Sequence, residues 1–132
     1  MPRPAAENPT ELELQILKVL WQEAPRTVRE VRDALAKLGR DLAHTSVITS
    51  MTTMVAKNQL KKLPPAKGKA FRFEPTLKKE DVSKGMLGDL MDRLFEGSSE
   101  TLLLSLFDVK DLDETEIKRL RKMLNQKLKE QS

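Results

Sequence analysis

The sequence predicts a mainly α-helical protein with a small β-hairpin wing, arranged as a winged helix-turn-helix domain followed by a C-terminal helical dimerisation region. Three observations predict this fold class: successive helix signals within residues 10–56, a basic segment with turn residues at 62–73, and periodic segments rich in Leu and Met after residue 79. We therefore expect a flexible N-terminus at 1–8, the winged-helix domain at 9–75 and the dimerisation region at 76–132.

Capping boxes mark the starts of the first two helices. Thr10 and Glu13 form one box and Thr27 and Glu30 form the other, because each Thr hydroxyl and Glu carboxylate can satisfy an orphan amide of the first turn. Gly39 is the expected end of the second helix. The apolar residues that follow recur at helical spacing: Leu12, Ile16, Leu17, Val19, Leu20 and Trp21 in the first helix, and Val28, Val31, Ala34, Leu35 and Leu38 in the second.

The third helix is expected after the short connection 40–42, and its two faces differ. Its apolar stripe consists of Val47, Met51, Met54 and Val55, and its opposite side carries Thr45, Thr49, Thr52 and Thr53. Thr is a poor helix former because β-branching restricts χ1 and the hydroxyl competes for backbone partners. The pattern therefore favours a short, uncharged hydrogen-bonding surface that enters a nucleic-acid groove, with a plain surface helix as the alternative.

A basic hairpin is expected to follow the third helix. Between Asp41 and Glu74 there is no acidic residue, while Lys and Arg supply six positive charges. Pro64-Pro65 and Lys67-Gly68-Lys69 indicate a turn, and residues 70–73 alternate apolar with basic as a half-buried strand does. Such a hairpin suits contact with phosphates. An ordinary charged sheet edge is the alternative, but it does not explain the missing acidic residues.

Charge divides the chain into two parts with different expected partners. Residues 1–78 hold 14 Lys and Arg against 8 Asp and Glu, and residues 79–132 hold 10 against 12. The basic part suits a polyanion, so we expect residues 9–75 to bind double-stranded DNA. The second part has too much apolar surface to stand alone, and pairing with a second copy would bury it. The expected dimer interface comprises Met86, Leu90, Leu94, Leu103, Leu106, Ile117, Leu120 and Leu124.

Composition argues against several other classes of protein. There is no Cys, and the single His has no cluster of ligands around it, so we expect neither a metal site nor a cofactor. No nucleophile has an evident base, which makes an enzyme the least favoured class. No apolar run approaches the roughly 20 residues that span a membrane, and we expect a soluble, cytoplasmic protein.

Several strings of the sequence occur in a recognisable order. They are TELE at 10–13, ILKVLW at 16–21, TVREV at 27–31, LAHTSVIT at 42–49, KGKAFRFEP at 67–75 and DRLFEG at 92–97. Each string alone is weakly specific. Together they resemble the penicillinase-repressor family of bacterial winged-helix regulators (the BlaI/MecI/CopY group), over about residues 9–128.

This resemblance implies a homodimeric transcriptional repressor that places one recognition helix per subunit in adjacent major grooves of a palindromic operator. The residues expected to read bases are His44, Thr45, Ser46, Ile48, Thr49 and Thr53. The residues expected to contact phosphates are Arg40, Lys57, Lys61, Lys62, Lys67, Lys69 and Arg72.

The sequence also departs from the family at three places. Members usually carry Arg where this chain has Thr53, which keeps a winged-helix protein–protein adaptor without sequence readout as the alternative function. Antibiotic-responsive members are cut at a bond that corresponds to Ser105-Leu106, and a membrane sensor protease is therefore a further candidate partner. These two residues differ from the usual Asn-Phe pair, so inactivation by proteolysis is unsupported. Copper sensing through thiolates is excluded because the chain has no Cys.

Overall fold

The computed structural model describes residues 8–131, and these fold into six helices and three short strands. The elements are α1 Glu11–Gln22, β1 Arg26–Thr27, α2 Val28–Lys37, α3 His44–Ala56, β2 Leu60–Leu63, β3 Arg72–Pro75, α4 Lys79–Leu94, α5 Ser99–Lys110 and α6 Glu114–Glu130. The N-terminus expected to be flexible, residues 1–8, lies outside the described residues apart from Asn8. No helix of the described part is long and apolar enough to cross a membrane.

The chain divides into two compact units between Gly88 and Asp89, inside α4. The functional division expected between 75 and 76 falls at the end of β3. The first compact unit extends beyond that point because Leu77 packs against the core and its carbonyl accepts a hydrogen bond of 2.8 Å from Trp21 Nε1.

Three helices and the sheet enclose the core of the first unit. Both predicted capping boxes are present, with the hydroxyls of Thr10 and Thr27 each accepting a hydrogen bond of 3.2 Å from the amide three residues later. The predicted apolar stripes pack together behind them. The buried apolar residues are Ile16, Leu17, Val19, Leu20, Val31, Leu35, Val47, Met51, Met54, Leu60 and Phe73.

The connection between α2 and α3 is fixed by its backbone. α2 ends at Lys37, and Gly39 then adopts φ +87°, a left-handed conformation that favours glycine. Arg32 Nε donates a hydrogen bond of 3.1 Å to the Leu42 carbonyl and holds the approach to α3. The assignment of Leu38 to the buried stripe was wrong: its side chain is 72% exposed, because the helix has already ended.

The sheet has three antiparallel strands in the order β1-β3-β2. The sequence analysis predicted no strand at 26–27, whereas Arg26 and Thr27 pair with Phe73 and Arg72 of β3. The expected half-buried strand over 70–73 also needs correction. β3 begins at Arg72, and Phe71 is left 48% exposed while Phe73 is buried.

The last two helices of the second part begin with side-chain caps. Ser98 caps α5 and Asp113 caps α6, each through a side-chain oxygen that accepts from the amide three residues later. In the described residues 79–131, no side chain is buried. These helices therefore lack a core of their own within one copy of the chain.

Candidate nucleic-acid interface

The exposed face of α3 carries hydroxyl groups, as the sequence predicted. Val47, Met51 and Met54 are fully buried and anchor the helix on α1 and α2. The face opposite them is exposed and includes every residue expected to read bases: His44, Thr45, Ser46, Ile48, Thr49 and Thr53, together with Thr52. The threonine face is thus available to a partner and takes no part in internal packing.

Electrostatics at the start of α3 suit an anionic partner. The helix contains no Asp, Glu, Lys or Arg from His44 to Ala56. Within the described residues, no side chain caps its N-terminus at Ala43, and its first turn holds no acidic residue. No acidic residue of α3 itself therefore offsets the positive end of the helix dipole.

The wing presents lysines on a loop next to α3. Lys67 and Lys69 are exposed on either side of Gly68, whose φ of +70° is accessible to glycine without strain. Lys61 is exposed on β2, opposite Glu74 in the strand register. Arg40 lies half-buried in the connection before α3, with its backbone amide bonded to the Leu35 carbonyl.

Three other cations expected at phosphates already have internal partners. Lys62 Nζ lies 4.2 Å from the centroid of the Phe71 ring, a cation–π contact. Arg72 Nε donates to the Pro64 carbonyl at 3.0 Å and closes the base of the wing loop. Lys57 Nζ donates to Glu13 Oε2 at 2.8 Å. Any phosphate contact by these three residues stays a prediction and has to coexist with these contacts.

The partner of Lys57 is a buried carboxylate whose tertiary role the sequence analysis missed. Glu13 is only 5% exposed, and its Oε1 also accepts from the Thr10 amide at 3.0 Å and, over a longer distance, from Gln59 Nε2. Burial acts to raise the pKa of the Glu13 carboxyl. The hydrogen bonds from Lys57, Thr10 and Gln59, with the charge of Lys57, outweigh burial and hold that pKa below its ordinary value.

A sequence signal for this carboxylate existed. Glu13 precedes Ile16, Leu17 and Leu20 by three, four and seven residues, so it stands on the apolar stripe of α1. A carboxylate in such a position needs a buried partner. Its partner, Lys57, follows the last residue of α3, so the ion pair ties the start of α1 to the end of the helix expected to read DNA.

The residues expected at the dimer interface lie on α4, α5 and α6 and leave apolar surface uncovered. Within the described chain, Met86 and Leu120 are half-buried, and the other six are exposed: Leu90, Leu94, Leu103, Leu106, Ile117 and Leu124. Ser105 and Leu106, the residues at the expected cleavage point, lie inside α5. Cleavage there, and a membrane sensor protease as partner, stay predictions.

Comparison with known proteins identifies the family. The sequence pattern of the family described as penicillinase repressor matches residues 9–126. The chain belongs to the penicillinase repressor family. The family and fold class predicted from the sequence are therefore confirmed.

Two named relatives of this penicillinase repressor family member are a transcriptional regulator and a regulatory protein. The chain is 29% identical over 111 residues to the transcriptional regulator BlaI of Mycobacterium tuberculosis, covering 83% of this chain and 78% of the relative. It is 19% identical over 115 residues to the methicillin resistance regulatory protein MecI of Mammaliicoccus sciuri, covering 87% and 91%. The chain is thus grouped with regulators and not with enzymes.

Two solved structures have a similar fold. One is a mutant MarR from E. coli complexed with operator DNA, with a TM-score of 0.51, 18% identity, and coverage of 90% of this chain and 75% of that one. The other is a transcriptional regulator from Thermotoga maritima, with a TM-score of 0.52, 20% identity, and coverage of 89% and 72%. This likeness shows the winged-helix fold of the penicillinase repressor chain.

Proposed function

We propose that this chain is a homodimeric, sequence-specific DNA-binding repressor that places one α3 per subunit in the major groove of a palindromic operator. The observation that carries the proposal is the exposed, uncharged face of α3 beside a lysine-bearing wing, in a chain of the penicillinase repressor family. A major groove admits an α-helix, and short hydroxyl side chains let the helix approach the base edges closely.

Hydroxyl and methyl groups read the bases in this proposal. Thr45, Ser46 and Thr49 donate to or accept from base edges, and the Ile48 side chain and the Thr methyl groups meet thymine methyl groups. Because α3 has neither Arg nor Lys, it lacks the bidentate contact that guanine usually receives. Discrimination per residue is therefore modest, and part of the specificity comes from DNA shape.

Phosphate contacts supply most of the affinity. Lys67 and Lys69 on the wing and Arg40 before α3 flank the hydroxyl face, and Lys61 lies on the neighbouring strand. The logarithm of the binding constant falls linearly with the logarithm of the salt concentration, and each phosphate that a cation neutralises adds about −0.9 to the slope. The affinity for DNA is therefore expected to fall steeply as the salt concentration rises.

The proposal of a second copy rests on α4, α5 and α6, which have no core of their own within one copy. Residues 79–131 bury no side chain in the described single copy, and Leu124 is 59% exposed. A two-fold pairing of α4, α5 and α6 would cover this apolar surface. It would also present two copies of α3, and the symmetry of the protein would then be mirrored in a palindromic operator.

Selection from a random pool of double-stranded DNA tests the function directly. The full-length chain is expected to enrich a palindromic motif with half-sites about 10 base pairs apart, the spacing of neighbouring major grooves on one side of the duplex. Titration of the enriched duplex at increasing KCl should show a steep loss of affinity, and a scrambled duplex of equal composition is the control.

The adaptor alternative makes the opposite prediction. It is favoured by Thr53, because members of the family that the sequence resembles usually carry Arg at this position. No enriched motif, together with partner complexes that are insensitive to salt and to the Lys67→Ala/Lys69→Ala double change, would replace the repressor proposal with the adaptor.

A further inference from the structure

A groove of about 310 Å³ lies in the first unit between α3 and the wing. Its walls come from the start of α2, the exposed side of α3, and the wing residues around Phe71. We call it the α3–wing groove. This volume lies at the small end of the usual range for ligand pockets, about 300–1,000 Å³.

The walls of the α3–wing groove are mainly apolar. Val28 contributes from α2, Ile48 from α3 and Phe71 from the wing, and the last two side chains are 40% and 48% exposed. Lys62 Nζ rests over the Phe71 ring and takes part in the lining. An apolar ring placed against Ile48 and Phe71 would therefore remove apolar surface of both side chains from water.

The charged residues that line the α3–wing groove are all positive. Arg29, Lys62 and Lys69 line it, and no Asp or Glu does. Within the described part of the chain, none of these three cations forms an ion pair with a carboxylate. A guanidinium accepts a carboxylate in a bidentate geometry, and the two ammonium groups add attraction of the same sign.

We propose that the α3–wing groove binds a small aromatic carboxylate, with the ring against Ile48 and Phe71 and the carboxylate at Arg29 and Lys69. His44, Ile48 and Lys69 line the groove and also belong to the surface assigned to DNA. An occupied groove therefore competes with DNA, and this second part rests on the proposed function. The chain would then respond directly to an organic acid, without proteolysis and without a metal.

Benzoate is the probe for binding, and the full-length chain without DNA is the target. Saturable shifts of the methyl NMR signals of Ile48 and Val28 are expected. Benzamide keeps the ring and removes the charge, and acetate keeps the charge and removes the ring, so both should bind at least about tenfold more weakly. Equal binding of benzamide, or saturable shifts confined to α5 and α6, would overturn the proposal.

Matched variants locate the carboxylate. Arg29→Gln and Lys69→Gln should each weaken benzoate binding several-fold and leave the rest of the NMR spectrum unchanged. Lys18→Gln removes a cation that is also exposed, on α1 and outside the groove, and should leave benzoate binding as it is. An equal effect of all three changes would mean that benzoate senses only the net charge, and the site would be rejected.

Competition with DNA is measured in a separate arm at constant ionic strength, with benzoate replacing chloride. At ten times the dissociation constant of benzoate, the apparent affinity for the selected duplex should fall about tenfold. If benzoate binds and the DNA affinity does not change, competition is refuted. If benzoate binds and the chain binds no DNA, the groove stands as a ligand site and the repressor proposal fails.

Discussion

The Glu13 side chain joins the start of α1 to the end of α3. Its carboxylate completes the capping box of α1 and pairs with Lys57 at the end of α3. The pKa of Glu13 lies below its ordinary value, so the folded state favours the ionised form. The corresponding stability is present above the unfolded pKa and is lost as pH falls through the folded pKa.

Glu13→Gln should lower the free energy of unfolding by about 1–3 kcal/mol at neutral pH, because the buried carboxylate loses its charge-assisted hydrogen bond from Lys57. Gln still serves in a capping box, so the change isolates the charge. Urea unfolding at pH 7 and at about pH 3 measures the effect, which should shrink at the lower pH. Glu11→Gln, exposed in the same turn, is the control and should have little effect. An equal loss at both pH values would contradict a role for the charge.

Thr49 tests base reading at the same scale. Thr49→Ala removes a hydroxyl and a methyl from the exposed face of α3 and should reduce discrimination between the selected operator and single-base variants by about 1–3 kcal/mol. Fluorescence anisotropy with a panel of duplexes measures this. Thr115→Ala on α6 is the matched control. Unchanged discrimination by Thr49→Ala would place the base contacts elsewhere.

The wing is the element whose role depends most on charge. Lys67→Ala/Lys69→Ala should weaken binding to all duplexes by a similar factor, because phosphates carry no sequence information. The salt slope should fall by about 1 for each lysine removed. Lys122→Ala/Lys129→Ala makes the same charge change on exposed positions of α6. A loss of sequence preference with an unchanged salt slope would mean that the wing reads bases.

The sequence predicted the elements well where a periodic pattern existed. The α3 stripe and its threonine face were visible because Val47, Met51 and Met54 recur at helical spacing. Strand β1 was missed because two residues carry no period, and because Thr27 also caps α2. The ion pair of Glu13 with Lys57 joins positions 44 residues apart. Pattern reasoning has no means of pairing residues at such a separation.

In the molecule as a whole, the apolar surface of residues 79–131 is left without a cover. α5 and α6 begin with side-chain caps, yet residues 79–131 bury no side chain in the described copy. Helix propensity alone gives marginal stability in water. A second copy is the proposed cover, and the same pairing supplies the second α3 that a palindromic operator requires.

Leu124→Asp should convert the proposed dimer into monomers, because it places a charge in the apolar face of α6. Operator affinity should fall by about 10²–10⁴, the usual gain from joining two weak half-site contacts. Sedimentation velocity and operator titration measure the two effects. Lys122→Asp, on the other side of α6, is the control. Dimers that persist in Leu124→Asp would move the interface away from this face.

Contact between the exposed face of α3 and DNA is measured by NMR of the full-length chain with the selected operator duplex. Saturating DNA should shift the amide signals of residues 44–53 and 67–69, with the largest changes at the start of α3, and a scrambled duplex should shift the wing more than α3. Operator binding that leaves the signals of residues 44–53 unchanged would show that α3 does not contact the DNA.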